Sequence, residues 1–229
     1  MTTQDTAAIV VTGAAAAGRA PEFSVVVPAR NCPDVLARSL GALRASDVAS
    51  SAWELIVVDD GSTDATPEVA ARFADRVVRL GPGPRGPAFA RNRGVEQARG
   101  EYLVFVDSDV CVHSDALGKL VAALRHDSDV VAVFGAYDTS PPERGLVSQY
   151  RNLLHHYVHW INAGPATTFW AGCGAVRRDA FVAVGMFDER RFPRPQIEDI
   201  EVGYRLTARG HTIQLSPDIQ GTHLKRWTF

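Results

Sequence analysis

Two aspartates follow an apolar run near the middle of the chain. Residues 104–110 read Val-Phe-Val-Asp-Ser-Asp-Val, which places Asp107 and Asp109 two positions apart directly after a predicted buried strand. Carboxylates with this spacing can face one divalent cation, or one cation and a sugar hydroxyl. Mg²⁺ and Mn²⁺ prefer such oxygen ligands and keep positions free for phosphate oxygens. Because charges beside a buried strand need a partner, the motif predicts a metal site for a phosphate-bearing ligand.

A second acidic pair, Glu198 and Asp199, stands at the start of a predicted helix over residues 197–209. Acidic residues favour a helix N-terminus because the helix dipole stabilises negative charge there. The same carboxylates could instead supply a general base in a cleft. The local sequence by itself favours the helix-terminus explanation.

A glycine-rich loop at 81–86, Gly-Pro-Gly-Pro-Arg-Gly, matches the dinucleotide-binding pattern G-x-G-x-x-G. Binding a pyrophosphate there requires backbone N–H groups. Pro82, Pro84 and Pro87 have none, and the loop follows the third predicted strand rather than the first. The pattern therefore favours a stiff turn.

Strands and helices alternate along most of the chain. The predicted strands cover 23–28, 53–58, 77–80, 102–106 and 130–134, and the predicted helices cover 33–44, 67–73, 87–99, 117–125, 145–160 and 197–209. Strands that alternate with helices and lack polar alternation predict a parallel sheet covered on both faces. Functional groups in such sheets gather at the carboxyl ends of the strands, where Asp59, Asp60, Asp107 and Asp109 stand. We therefore predict an α/β fold with its site at that edge.

The composition is that of one globular domain. The 229 residues are 46% hydrophobic and 22% charged, and 24 basic against 26 acidic side chains leave a net charge of -2. These values exclude a disordered chain and a strongly basic nucleic-acid binder, so we expect no nucleic-acid partner. No apolar run approaches the roughly 18 residues of a transmembrane segment. Residues 1–20 are expected to form a flexible arm before a single domain over 21–229.

Three scattered cysteines, Cys32, Cys111 and Cys173, form no C-x-x-C pair. This pattern fits a reducing compartment and argues against a zinc cluster. We therefore expect a cytoplasmic protein and leave membrane association open. The preference for arginine over lysine is typical of GC-rich bacterial genomes.

Six motifs, taken in order, resemble those of the family 2 glycosyltransferases of the GT-A fold. The likeness covers residues 23–229. The motifs are VVPARN at 26–31, VDDGSTD at 58–64, ARNRG at 90–94 with GEYLVFVDSD at 100–109, FWAGCGAVRR at 169–178, GMFDE at 185–189, and IEDIEVGYR at 197–205. The resemblance implies one GT-A domain: a Rossmann-like, mostly parallel sheet flanked by helices, with a nucleotide-binding half at 21–136 and a smaller, mixed acceptor half at 137–229. It also overturns the helix-terminus explanation of the second acidic pair.

The resemblance implies how the nucleotide is held. Pro28 and Arg30 would line the nucleoside. Asp60, with Asp59 as the weaker choice, would accept a hydrogen bond from the base, and N3–H of uracil suits such a charge-assisted bond. Arg91 would close over the nucleotide, although it could instead pair with a surface carboxylate.

The resemblance also implies how the diphosphate and the sugar are held. Asp107 would contact the ribose or the metal, Ser108 would contact the nucleotide, and Asp109 would bind Mn²⁺ or Mg²⁺ directly. Gly172 would let the backbone approach the donor sugar. His223 would complete the metal coordination, with a plain packing role as the alternative.

The remaining roles concern the phosphate and the reaction. Lys225 or Arg226 would bind phosphate. Asp199 would be the general base, and Glu198 would support placement of the acceptor. The implied activity is metal-dependent, inverting transfer of a sugar from a nucleoside-diphosphate sugar, with a UDP-sugar favoured. The acceptor could be a small molecule, a lipid-linked sugar or a peptide, and a homodimer is left open.

Two other functions remain as alternatives. The Asp-x-Asp strand also resembles the haloacid-dehalogenase phosphatases, but those place the motif on the opening strand, and here it follows the fourth. A catalytically silent sugar-nucleotide-binding protein is the second alternative.

The predicted helix at 145–160 carries His155, His156 and His159, which we interpret as packing or surface residues that could border the acceptor cleft. Trp170 could belong to the core, but an aromatic residue beside glycine in a cleft also suits stacking against a sugar.

Overall fold

The computed structural model describes residues 10–12 and 20–227. They form an α/β structure in which helices cover both faces of one sheet, which confirms the predicted fold class. The strands are β1 (Val10–Thr12), β2 (Phe23–Ala29), β3 (Trp53–Asp59), β4 (Arg76–Arg79), β5 (Tyr102–Val106), β6 (Val110–Val112), β7 (Val130–Tyr137), β8 (Gly164–Ala166), β9 (Cys173–Arg177) and β10 (Thr212–His223). The helices are α1 (Pro33–Arg44), α2 (Thr66–Phe73), α3 (Pro87–Gln97), α4 (Ala116–His126), α5 (Leu146–Ile161), α6 (Arg178–Ala183) and α7 (Glu198–Ala208).

Four parallel strands, in the order β4-β3-β2-β5, form the first part of the sheet. Their apolar runs are buried on both faces because α1, α2 and α4 pack on one side and α3, α6 and α7 on the other. Since β2 and β3 pair in register to their last residues, Ala29 lies opposite Asp59 at the carboxyl end of the sheet. The acidic residues that follow β3 and β5 therefore meet at one edge.

The sheet becomes mixed beyond β5. The antiparallel strand β9 lies between β5 and β7, β10 pairs in parallel with β7, and β6 forms an antiparallel edge. Strand β8 pairs with β10. The second half thus continues the same sheet in a mixed arrangement, in agreement with the prediction.

Strand β10 was not predicted from the sequence. It contains Pro217, and proline in a strand interior argues against an ordinary strand because it cannot donate to the ladder. The structure accommodates it in a bulge: Leu215 pairs with Phe134 and Gln220 with Ala136. A Cβ on Gly135 would lie 2.1 Å from the carbonyl oxygen of Ile219, so the bulge requires glycine there.

The predicted N-terminal arm is only partly described. Residues 10–12 form β1, which pairs antiparallel with β4, and the rest of 1–19 lies outside the described residues.

Helix α5 turns its polar side chains inward. Its buried residues are Ser148 and Asn152, and Nδ1 of His156 and of His159 hydrogen-bond the carbonyls of Tyr137 and Gly135, at 2.7 and 2.9 Å. The apolar periodicity of this helix therefore marks its exposed face. Exposed on α5 are Leu146, Tyr150, Leu153, Leu154, Tyr157, Val158, Trp160 and Ile161. Among the described residues, no helix combines the length and hydropathy needed to cross a membrane.

Candidate active site

A cleft of about 1370 Å³ opens at the carboxyl ends of β2 and β5, facing the start of α7. Its walls come from both parts of the chain, since residues between 28 and 134 and residues between 155 and 225 line it. Ten of the residues that received a role from the sequence line this cleft: Pro28, Arg30, Asp60, Arg91, Asp107, Ser108, Asp109, Glu198, Asp199 and Lys225.

The carboxylate of Asp60 holds the glycine-rich loop against the cleft. Its Oδ1 accepts from the backbone N–H of Arg85 at 2.8 Å, and its Oδ2 accepts from that of Gly86 at 2.9 Å. Gly86 has a φ of 91°, and a Cβ there would lie 2.6 Å from the carbonyl oxygen of Pro193. The loop is thus a turn fixed by Asp60. The contact of Asp60 with a nucleotide base stays a prediction.

Arg91 is buried and bridges two carboxylates. Its Nη2 donates to Oδ1 of Asp107 at 2.6 Å, and its Nη1 donates to Oε1 of Glu198 at 2.9 Å. Burial raises the pKa of Asp107 above its ordinary value, although the Arg91 charge opposes the shift. Burial acts to lower the pKa of Arg91, but Asp107 and Glu198 outweigh it and raise that pKa. Arg91 therefore pairs with two cleft carboxylates, the buried Glu198 and the partly exposed Asp107, rather than with one at the surface.

Asp199 is held by backbone groups at the start of α7. Its Oδ2 accepts from the N–H of Ala171 at 3.1 Å, and its Oδ1 accepts from that of Ile200 at 2.8 Å. Burial raises the pKa of Asp199 above its ordinary value, since the opposing charge of Arg91 does not fully compensate. A carboxylate with a raised pKa is a better proton acceptor, which suits a general base.

The neighbouring Glu198 is oriented by a different set of contacts. Besides Arg91, it accepts through Oε2 from the N–H of Gln196 at 3.0 Å. Both of its oxygens are therefore engaged, and its side chain is buried. This arrangement fixes the segment that precedes α7. Among the described residues, Asp199 has no hydrogen bond from an arginine, in contrast to Glu198.

Asp109 faces His223, at the end of β10. Oδ2 of Asp109 and Nε2 of His223 are 3.4 Å apart, and Nδ1 of His223 lies 2.7 Å from Oδ1 of Asn152. Because an amide oxygen only accepts, Nδ1 carries a proton and leaves Nε2 directed at Asp109. Burial alone would raise the pKa of Asp109, but the hydrogen bond and charge of His223 lower it below its ordinary value.

The donor set at Asp109 and His223 fits a divalent cation with open coordination positions. Two ligands that share one ion at about 2.1 Å each are separated by a distance close to that between these two atoms. The Asn152 contact supplies the orienting partner that metal-bound histidines use. Within residues 20–227, no three His, Cys, Asp or Glu side chains are grouped to enclose an ion, so substrate oxygens would have to complete the coordination.

Four predicted residues do not line the cleft. His223 lies beside it, where it contacts Asp109, and lines a neighbouring cavity. Asp59 is buried and accepts from the N–H of Ser62, so it stabilises its own turn. A Cβ on Gly172 would lie 2.4 Å from the Trp170 ring, so its small size allows that indole to pack. Arg226 is exposed, and Lys225 lines the cleft instead.

Several cleft residues received no firm role from the sequence. His155, His159 and Trp170 line the cleft, and Trp170 packs edge-to-face on Tyr137 at 4.9 Å. The apolar residues of α5 lie on its exposed face, and the buried stripe of serine and asparagine, with the histidines beside it, is the signal that identifies the face toward the protein.

Solved structures with the same fold carry related ligands. A mannosyltransferase from Pyrobaculum calidifontis, in complex with GDP-Man and Mn²⁺, superposes with a TM-score of 0.71 at 23% identity, over 90% of this chain and 57% of that one. TarS 1-349 of Staphylococcus aureus in complex with UDP-GlcNAc superposes with a TM-score of 0.69 at 21% identity, over 91% and 60%. At these identities the likeness establishes the fold. A Rossmann-like sheet with acidic residues at its carboxyl edge, together with these neighbours, defines the GT-A fold.

The sequence comparison then gives the family. The glycosyl transferase family 2 profile matches residues 24–185, and the chain belongs to this family. The poly(ribitol-phosphate) β-N-acetylglucosaminyltransferase TarS of Staphylococcus aureus is 33% identical over 49% of this chain and 20% of its own length. Glycosyltransferase AglE of Haloferax volcanii is 26% identical, over 90% and 68%. A validoxylamine A glucosyltransferase of Streptomyces hygroscopicus is 29% identical, over 90% and 52%, so the chain spans about half of that relative.

Proposed function

We propose that the protein transfers a sugar from a nucleoside-diphosphate sugar, with a UDP-sugar favoured, to an acceptor nucleophile with inversion at the anomeric carbon. The observation that carries this proposal is the meeting of two acidic pairs in one cleft. Asp107 and Asp109 come from the end of β5, Glu198 and Asp199 come from the start of α7, and all four line the same cavity. Neighbouring structures that hold a GDP-sugar or a UDP-sugar support this choice of donor.

The donor would lie along the carboxyl ends of β2 and β5. Pro28, Arg30 and Asp60 would contact the nucleoside, and Lys225 would contact phosphate oxygens as a point charge. Asp109 and His223 would hold Mn²⁺ or Mg²⁺, and a bound ion would stabilise negative charge on the departing diphosphate. The neighbour with Mn²⁺ supports this choice of ion.

Asp199 would act as the general base. Burial raises its pKa above the ordinary value, which makes it a better proton acceptor, and backbone N–H groups fix its orientation. It would remove the proton of an acceptor hydroxyl, or of another nucleophilic atom, as that atom forms its bond to the anomeric carbon and the bond to the diphosphate breaks. Attack from the face opposite the leaving group inverts the configuration, and no covalent intermediate is required.

A donor panel tests the proposal. Thermal unfolding would be followed with UDP-, GDP- and dTDP-sugars, each with and without Mn²⁺. A ligand that binds only the folded state raises the apparent stability by mass action, about 2.7 kcal/mol at a hundredfold excess over Kd. We expect a UDP-sugar with Mn²⁺ to give the largest shift, and a panel without any shift would exclude the proposed donor class.

Activity assays separate the two alternative functions. Phosphate release from a simple phosphate ester, in the absence of an acceptor, would indicate hydrolysis at the Asp-x-Asp motif. Donor binding without turnover across many acceptors would instead indicate a silent binding protein.

A further inference from the structure

A second cavity, of about 530 Å³, adjoins the cleft beside α5. We call it the side pocket. His155, His159 and Trp170 line both the cleft and the side pocket, so these three side chains stand between the two. The volume of the side pocket lies in the range of about 300–1,000 Å³ that small-molecule sites occupy.

Buried polar atoms without partners concentrate at this pocket. In the part of the chain that the structure describes, six buried side-chain nitrogens have no hydrogen-bond partner, and three of them belong to side-pocket residues: Nδ2 of Asn152, Nδ1 of His155 and Nε1 of Trp227. Asn152 is only 1% exposed. Unpaired buried donors are costly, and native proteins retain few of them. Two of these three nitrogens, Nδ2 of Asn152 and Nε1 of Trp227, carry N–H donors, and they indicate a ligand whose oxygens accept from them.

The walls of the side pocket are aromatic. The rings of His155 and Trp170 are 4.7 Å apart, and Arg151 lies 4.5 Å from the Trp227 ring. No aspartate or glutamate is among the described residues that line the pocket. Aromatic faces pack against the C–H face of a saturated ring, and N–H donors match its hydroxyl oxygens. Burial lowers the pKa of His155 to about 3, so its imidazole stays neutral and can both donate and accept.

The side pocket lies next to the proposed general base. Trp170 precedes Ala171, whose N–H is bonded to Asp199 at 3.1 Å. A ring held on the pocket side of Trp170 therefore lies across this indole from the cleft that Asp199 lines.

We propose that the side pocket binds a saccharide or cyclitol ring of the acceptor, with Asn152 and Trp227 donating to its oxygens, and holds a second group of the same acceptor in the cleft. This inference rests on the proposed function, because it assigns the acceptor of that reaction.

The test uses ligand binding in the absence of donor, by saturation-transfer NMR, with cellobiose, maltose, chitobiose and myo-inositol as probes. Leu154→Trp places an indole in the pocket lining, and Leu153→Trp makes the same change at the neighbouring exposed position, outside the lining. Trp227→Phe removes the indole N–H and keeps an aromatic ring. We expect wild type and Leu153→Trp to bind at least one probe equally, Leu154→Trp to lose that binding, and Trp227→Phe to weaken it by about two- to tenfold.

The thermal shift with nucleotide sugar, measured on each variant, confirms that the variants are folded. A wild-type protein that responds to the donor but binds none of the four probes would overturn the side-pocket proposal and leave the proposed function intact. Equal probe binding by Leu154→Trp and Leu153→Trp would also overturn it, because the probe would then bind outside the side pocket. A protein that binds a probe at the pocket but no nucleotide sugar would count against the proposed function alone.

Discussion

Nη1 of Arg91 donates a 2.9 Å hydrogen bond to Oε1 of Glu198, although the two residues lie 107 positions apart in the chain. The same guanidinium donates to Asp107 at 2.6 Å. Arg91 and Glu198 are both buried. One side chain of α3 therefore sets the position of the first residue of α7 relative to the end of β5, and with it the width of the cleft.

Replacing Arg91 with methionine should destabilise the fold. The change leaves the buried Glu198 carboxylate without its cationic partner, and removing one member of a buried ion pair costs about 3–5 kcal/mol. Arg91→Lys should recover only part of that loss, because an ammonium cannot reproduce the guanidinium fork that contacts two carboxylates. Chemical denaturation measures the free energy of unfolding. Arg190→Met, at an exposed position, is the matched control, and an equal loss in that control would contradict the bridging role.

Replacing Asp199 with asparagine should stop transfer and spare donor binding. The amide keeps the shape of the side chain but cannot take a proton, and loss of a general base lowers the rate by about 10²–10⁴-fold. Turnover is measured by product formation, and donor binding is measured by thermal shift. Asp218→Asn, whose native side chain is 69% exposed, controls for the change of charge. Unchanged turnover in Asp199→Asn would remove Asp199 from the base role.

The stability of the protein should fall with acidification below about pH 6.5, partly through His155. Burial lowers the pKa of His155 to about 3 in the folded state, whereas the unfolded chain keeps the ordinary value near 6.5. The unfolded state therefore binds a proton first as the pH falls, and His155 contributes up to about 1.4 kcal/mol of lost stability per pH unit between these values. His155→Gln should show a smaller loss between pH 7 and pH 5 than wild type.

Denaturation curves at the two pH values check this prediction. His126→Gln, at an exposed position near the end of α4, should retain the wild-type pH dependence. A pH dependence of His155→Gln equal to that of the His126→Gln control would show that His155 does not resist protonation in the folded protein.

Replacing His223 with glutamine should weaken Mn²⁺ binding at least about tenfold, since Nε2 of His223 and the Asp109 carboxylate form the proposed ligand pair. The measurement is electron paramagnetic resonance of free Mn²⁺ in the presence of UDP. His126→Gln again serves as the matched change outside the cleft. If the two variants bind Mn²⁺ equally well, the ion is held elsewhere.

The strands predicted from the sequence are present in the structure where an apolar run of residues is also buried on both faces. Strands β2, β3 and β5 are apolar runs covered on both faces, and such runs are recognisable without knowledge of their neighbours. Strand β10 was missed because Pro217 argues against a strand, and only pairing with β7 shows that a bulge absorbs it. The apolar periodicity of α5 predicted a helix, but periodicity does not say which face the rest of the protein covers.

The sequence by itself determined the family, the α/β alternation and the residue types able to bind a cation, a diphosphate and a proton. These properties depend on motifs and on local propensity, which short segments of the sequence contain. The tertiary structure alone decided that Arg91 binds Asp107 and Glu198, that Lys225 rather than Arg226 lines the cleft, and that Asp59 and Gly172 support neighbouring groups. Those relationships depend on the strand order and on which helix face is buried, because residues far apart in the chain meet only when the sheet is assembled.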